Sequence, residues 1–189
     1  MANSKVEQYI KSLIEREGRS VNNQFDRGGA TRWGITEAVA RKNGYQGPMD
    51  QLPRSLAREI YLQEYWSGCR FADVENLSQS IAEELFDTGV NMGQATAAGF
   101  LQRALNLFNQ SHKEVPLFQE LKVDGDLGAK TLVALSAFLK LRGLQGERVL
   151  LRVLNCFQGV RYAELTENRE TNEEFVYGWF SNRVAVSGD

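Results

Sequence analysis

The stretch "IEREGRSVNNQFDRGGATRWGIT", Ile14 to Thr36, decides the reading of this chain. It joins the end of an apolar helical pattern to a segment of glycines, arginines and acids with no hydrophobic run. Upstream, Ser4 and Glu7 form a capping-box pattern. Val6, Tyr9, Ile10, Leu13 and Ile14 follow the i, i+3, i+4, i+7, i+8 spacing of a helix, and Gly18 stops it. At about 100° per residue from Val6, these side chains fall near 0°, 300°, 40°, 340° and 80°. Glu17 then falls near ~20°, the centre of the apolar stripe, and Glu15 near ~180°, on the wet side.

A carboxyl group in that stripe has two readings. Burial and the partial negative charge of a helix C-terminus both oppose ionisation, and so raise the pKa toward the range of a general acid. Alternatively the helix frays and Glu17 reaches water or pairs with Arg16 or Arg19. Periodicity leaves both open. The residues that follow add chemistry: Asp26 and then Thr31, on a loop or short β-hairpin over 19–35 with Gly28-Gly29 as its turn and "ATRWGIT" as a strand. Glycoside hydrolysis needs one group to protonate the leaving oxygen and another to position water or stabilise charge on the sugar. Glycines let the backbone approach a bulky polymer. Asp-x-Gly-Gly is also an ordinary turn, so the pattern alone does not settle the matter.

The totals narrow the choice. Hydrophobic content of 42% and charged content of 24% in 189 residues exclude whole-chain disorder and allow a sizeable core. His112 is the only histidine, in the polar linker "NQSHKEV", and Cys69 and Cys156 are the only cysteines. A Cys/His zinc site, a histidine triad and a disulfide framework are therefore not expected, and no cofactor or metal is. Chemistry here falls to carboxylates. Residues 1–70 carry 11 Lys/Arg and 8 Asp/Glu, too weak a basic excess to indicate nucleic acid. No apolar run reaches the ~20 residues of a membrane span, and "MANSKVEQYIKSL" lacks a signal-peptide core, so neither membrane insertion nor self-export is expected.

Further helices are expected near 36–43 (Thr36 cap, Gly44 stop), 53–66, 79–92, 97–109, 128–142, 147–166 and 173–184. Seven or eight helices with one small β-hairpin after the first make a mainly α chain. Asp87, Asn91 and Gln94 form a polar stripe at i, i+4, i+7, readable as a cleft wall or a solvated face. Trp33, Tyr65 and Trp66 are candidates for stacking on sugars or for the core. "VDGDLGAKT" reads as an Asp124-Gly125 turn into a helix capped near Asp126.

The motif "EGR…FDRGGATRWGIT" resembles the opening of glycoside hydrolase family 108, muramidases common among bacteriophage endolysins. Arg19 stands where that family usually has a second glycine. "GYQGPMDQLPRSLAREIYLQEYW", "LFDTGVNMG" and "LQRALN…LKVDGDLGAKTLVAL" resemble later family segments in the same order, the last often catalogued as a peptidoglycan-binding module. The Glu-x8-Asp-x4-Thr spacing is one residue shorter than that of T-even phage lysozymes. The resemblance implies a lysozyme-like fold, with a catalytic half over 1–95 and a helical, peptidoglycan-binding half over 96–189 packed into one domain. It assigns the general acid to Glu17, with Asp26 and Thr31 as matched candidates for placing water, and it favours the cleft reading of Asp87, Asn91 and Gln94, beside which Trp33 is the aromatic candidate for a sugar contact. The expected activity is hydrolysis of the β-1,4 bond between N-acetylmuramic acid and N-acetylglucosamine by a monomer. It would wait in the host cytoplasm and act on periplasmic peptidoglycan once the membrane is breached. A lytic transglycosylase and a non-catalytic wall-binding or virion module are the alternatives.

Overall fold

The computed structural model describes residues 4–17, 30–110 and 115–184. It divides into two compact units, Met1–Gly68 and Cys69–Asp189.

In the first unit, helix α1 (Ser4–Glu17) buries Val6, Ile10, Leu13 and Ile14 to 1% exposure or less. Glu15 lies outside that stripe and pairs with Arg54 at 2.9 Å, as the helical count requires. Strands β1 (Thr31–Arg32) and β2 (Ile35–Thr36) form an antiparallel ribbon with Thr31 opposite Thr36 and Arg32 opposite Ile35. Helix α2 (Glu37–Lys42) follows at once, because the Thr36 hydroxyl accepts from the Val39 N–H and Gly44 takes the positive φ of 84° just beyond its end. Helix α3 (Arg54–Ile60) starts after Pro53 and packs on α1. The sequence pattern continues this helix to 66, but from Tyr61 to Ser67 the chain widens into a π-helix. Ile35, Leu52, Ile60, Tyr61 and Trp66 complete the core. Trp66 is thus a core residue, and Tyr65 lies against Tyr61 at 5.4 Å between ring centres.

The second unit is helical throughout its described residues. Helix α4 (Phe71–Glu75), too short to show a period, enters from Arg70 in the left-handed region at φ 59°. Helix α5 (Gln79–Met92) is capped by Ser78, whose hydroxyl accepts from the Ile81 N–H and donates to Glu147. Helix α6 (Gln94–Phe108) starts three residues earlier than the pattern suggests, directly after Gly93. The helices expected at 128–142 and 147–166 form one 39-residue element, α7 (Ala129–Glu167), bent only at Gly143, whose φ of 56° and ψ of −154° leave helical space. Helix α8 (Glu173–Arg183) closes the unit. Ile81, Leu85 and Phe86 of α5 share a core with Leu101 and Leu105 of α6 and Leu135, Phe138, Leu150 and Leu154 of α7; burying each such side chain is worth about 1.5–3 kcal/mol. No described helix is long and apolar enough to cross a membrane.

Asp124-Gly125 is a turn, as expected, with Gly125 at φ 75°. Its hold is tertiary: the buried Gln102 amide donates to Asp124 Oδ1 and accepts from the N–H groups of Asp124 and Gly125. That contact keeps the Asp124 carboxyl below its ordinary pKa. The helix cap near Asp126 is corrected: α7 begins after Gly128, which supplies no side chain.

Candidate active site

Glu17 is the last residue of α1. Its side chain, Asp26 and the Gly28-Gly29 pair lie outside the described residues. Thr31, half-buried, is on β1. The expected strand "ATRWGIT" is corrected, because it folds back on itself. Trp33 and Gly34, at φ 57° and 76°, make a two-residue turn between β1 and β2. Positive φ at both turn residues matches the right-handed twist of a hairpin.

For a tryptophan this backbone is strained, at a cost of order 1 kcal/mol or more. Three contacts hold it. The indole Nε1–H donates to the Leu52 carbonyl at 2.9 Å, the Tyr61 hydroxyl donates to the Trp33 carbonyl at 3.0 Å, and the Arg32 guanidinium lies 5.1 Å from the ring centre. Tyr61 is the first residue of the π-helix, so the widened turn fixes the strained corner. Trp33 is half-buried and held rigidly, conditions that favour stacking on a sugar.

The stripe expected at Asp87, Asn91 and Gln94 is also corrected. Gly93, at φ 93° and ψ 145°, ends α5, so Gln94 opens α6 and does not continue the face. Asn91 Nδ2 folds back to the Asp87 backbone carbonyl at 2.6 Å. The Asp87 carboxylate faces inward. Arg183, at the end of α8, donates to its Oδ1 at 3.0 Å, and Gln158 of α7 donates to its Oδ2 at 3.2 Å and to the Thr88 hydroxyl at 3.1 Å.

One turn earlier, Glu84 joins this group. Burial, then the charge of Asp87, push its carboxyl up to about 7, against hydrogen bonds from Asn155 and Thr88. Its Oε1 is buried without a hydrogen-bond partner among the described residues, and so is Gln158 Oε1. A neutral carboxyl tolerates such burial better than a carboxylate does. Sequence reading missed Glu84, Thr88, Gln158 and Arg183. Glu84 and Thr88 had a weak signal, since they flank Asp87 on the same helix; Gln158 and Arg183, 71 and 96 residues away, had none.

Among the described residues no three His, Cys, Asp or Glu side chains gather as metal ligands would. Residues 10–93 match the family model described as Glycosyl hydrolase 108. They form a glycosyl hydrolase 108 domain. Residues 96–184 match the model described as Predicted Peptidoglycan domain. The chain is also similar to the solved structure of Brucella abortus SagA, at 26% identity and a TM-score of 0.67, over 95% of this chain and 90% of that one. No curated protein matches the sequence.

The glycosyl hydrolase 108 domain has the mainly helical, lysozyme-like architecture expected of it, with the small antiparallel ribbon early in the chain. Glu17, Asp26, Thr31 and Trp33 all fall inside it. Together the two matched segments make the protein a peptidoglycan-degrading glycoside hydrolase that binds the cell wall.

Proposed function

We propose that the protein is an N-acetylmuramidase that cuts the β-1,4 bond between N-acetylmuramic acid and N-acetylglucosamine. Glu17 is the general acid, and Asp26 with Thr31 holds the attacking water. The observation that carries this reading is the register of α1. Its stripe is buried at Val6, Ile10, Leu13 and Ile14, and the helix ends on Glu17, inside the matched hydrolase segment. A carboxyl group at that register is suited to hold a proton near neutral pH.

Glu17→Gln is expected to retain the fold and substrate binding and to lower the release of reducing ends from peptidoglycan by at least about 10²-fold. A folded variant keeping more than a tenth of wild-type activity sinks the assignment. A threonine hydroxyl five residues after Asp26 in the sequence suits water activation better than direct attack, which supports single displacement with inversion and carboxyls ~6.5–9.5 Å apart. Proton NMR of the first product reads the anomer, and retained β-configuration overturns this step. Anhydromuramyl ends in the mass spectrum would make the enzyme a lytic transglycosylase, with Glu17 keeping its role.

The biological setting that suits such an enzyme is phage endolysis, from the host cytoplasm onto periplasmic peptidoglycan. Cells expressing the protein should then lyse only after chloroform opens the inner membrane. Lysis without chloroform would count against this setting.

A further inference from the structure

The second unit carries a positively charged surface with no internal use. It contains 12 Lys/Arg and 16 Asp/Glu in all, yet residues 140–152 hold Lys140, Arg142, Arg148 and Arg152 against the single acid Glu147. Glu147 is engaged with Ser78. Just after the bend at Gly143, α7 borders a concavity of about 450 Å³ lined by Leu144, Gln145, Arg148, Val149 and Arg152. Arg148 and Arg152 are one helical turn apart, so their guanidinium groups serve the same face. Both are exposed, and neither side chain makes an ion pair or hydrogen bond among the described residues. Other arginines of this unit are used: Arg183 by Asp87, Arg70 by Asp73, Arg161 by Glu164. Leu144, at 76% exposure, gives the same concavity an apolar edge.

We propose that this face of α7 is the docking surface for the peptide stems of peptidoglycan. A stem carries free carboxylates separated by short aliphatic side chains. Paired guanidinium forks donate directional, charge-assisted hydrogen bonds to carboxylates, while Leu144 and Val149 cover the methyl and methylene groups between them. The surface lies within the segment matched to the Predicted Peptidoglycan domain. This inference rests on the cell-wall reading of the chain and assigns the peptide, not the glycan, as what the second unit recognises.

The test is bead pull-down in the cold, before hydrolysis proceeds, using intact sacculi and the glycan strands an amidase frees of peptide, each coupled to beads so that both sediment. Wild-type protein should pellet with intact sacculi and lose most of that binding on stripped glycan. Arg148→Gln with Arg152→Gln, both solvent-facing, should weaken binding to intact sacculi about tenfold with an unchanged circular dichroism spectrum. Binding by the double variant within about twofold of wild type, or equal wild-type binding to stripped glycan, overturns the proposal. Arginine-dependent capture by phosphatidylglycerol vesicles without capture by sacculi overturns it in favour of a membrane. Reducing-end release from parallel samples incubated warm keeps the two readings apart. A wild type that cleaves sacculi without pelleting overturns the docking surface alone. One that pellets through its arginines and cleaves nothing supports the docking surface and overturns the hydrolase.

Discussion

Both units carry exposed ion pairs, but among the described residues the second also buries one. In the first unit the pairs Glu7–Arg58, Glu15–Arg54 and Lys42–Glu64 sit at the rim of the packing, with side chains 30–69% exposed. In the second, Asp87 and Arg183 are 12% and 10% exposed and join α5 to α8. Exposed pairs gain little, because water screens them and long side chains lose freedom. A buried pair need not stabilise the fold against an apolar substitute either, but removing one partner strands the other charge. The first unit is therefore fixed mainly by its apolar core and its strained Trp33 corner. The second adds a polar linkage that tolerates no partial loss.

Breaking that linkage should give the largest effect. Arg183→Met is expected to destabilise the protein by about 3–5 kcal/mol in urea denaturation, and adding Asp87→Asn should recover part of the loss. A cost below ~1 kcal/mol would erase the contrast between the units.

Glu84 sharpens it through pH. Its folded pKa is raised to about 7 from 4.5, so the stability of its neutral form is complete below the unfolded value and is lost as pH rises through the folded one. Between pH 5 and pH 8.5, wild type should lose up to roughly 3 kcal/mol from this group, and Glu84→Gln should lose none of that share. Equal pH slopes for the two proteins would contradict it.

The first unit should respond more gently. Trp33→Phe removes the 2.9 Å bond to the Leu52 carbonyl and should cost about 1–2 kcal/mol in thermal or chemical unfolding. Arg58→Ala, which frees Glu7 at the surface, should cost less than ~1 kcal/mol, and the difference should vanish in roughly 1 M salt. A salt-resistant loss would place that pair with the buried one.

The fold was legible where the signal is local. Val6, Ile10, Leu13 and Ile14 announce α1 by period, and Thr36 and Gly44 bound α2 by cap chemistry. The hairpin turn was not, because tryptophan favours strands and the neighbouring Gly28-Gly29 offered a better turn. Only the tertiary anchors at Leu52 and Tyr61 make positive φ tolerable at Trp33. The polar stripe failed for the converse reason: a period was extended across Gly93, where the backbone reverses. The buried cluster was the least legible part. An inward Asp87 and an outward one have the same local sequence, and what separates them is a glutamine and an arginine supplied from distant helices. Within the matched hydrolase segment, the helix that ends at Glu17 was legible from its period, and the support that holds Trp33 was not.

Gly93 has a further consequence. The two family segments meet beside it, at 93 and 96, yet it sits between α5 and α6, which pack on each other and share one core. Units of descent and units of packing therefore do not coincide in this molecule. A chimera that exchanged everything after Gly93 would leave Ile81, Leu85 and Phe86 without the Leu101 and Leu105 surface they were shaped to meet. Splicing after Gly68, where the compact units divide, keeps α5 with α6. Anyone exchanging the wall-recognition half of this enzyme for another must carry the last helices of the hydrolase segment along with it.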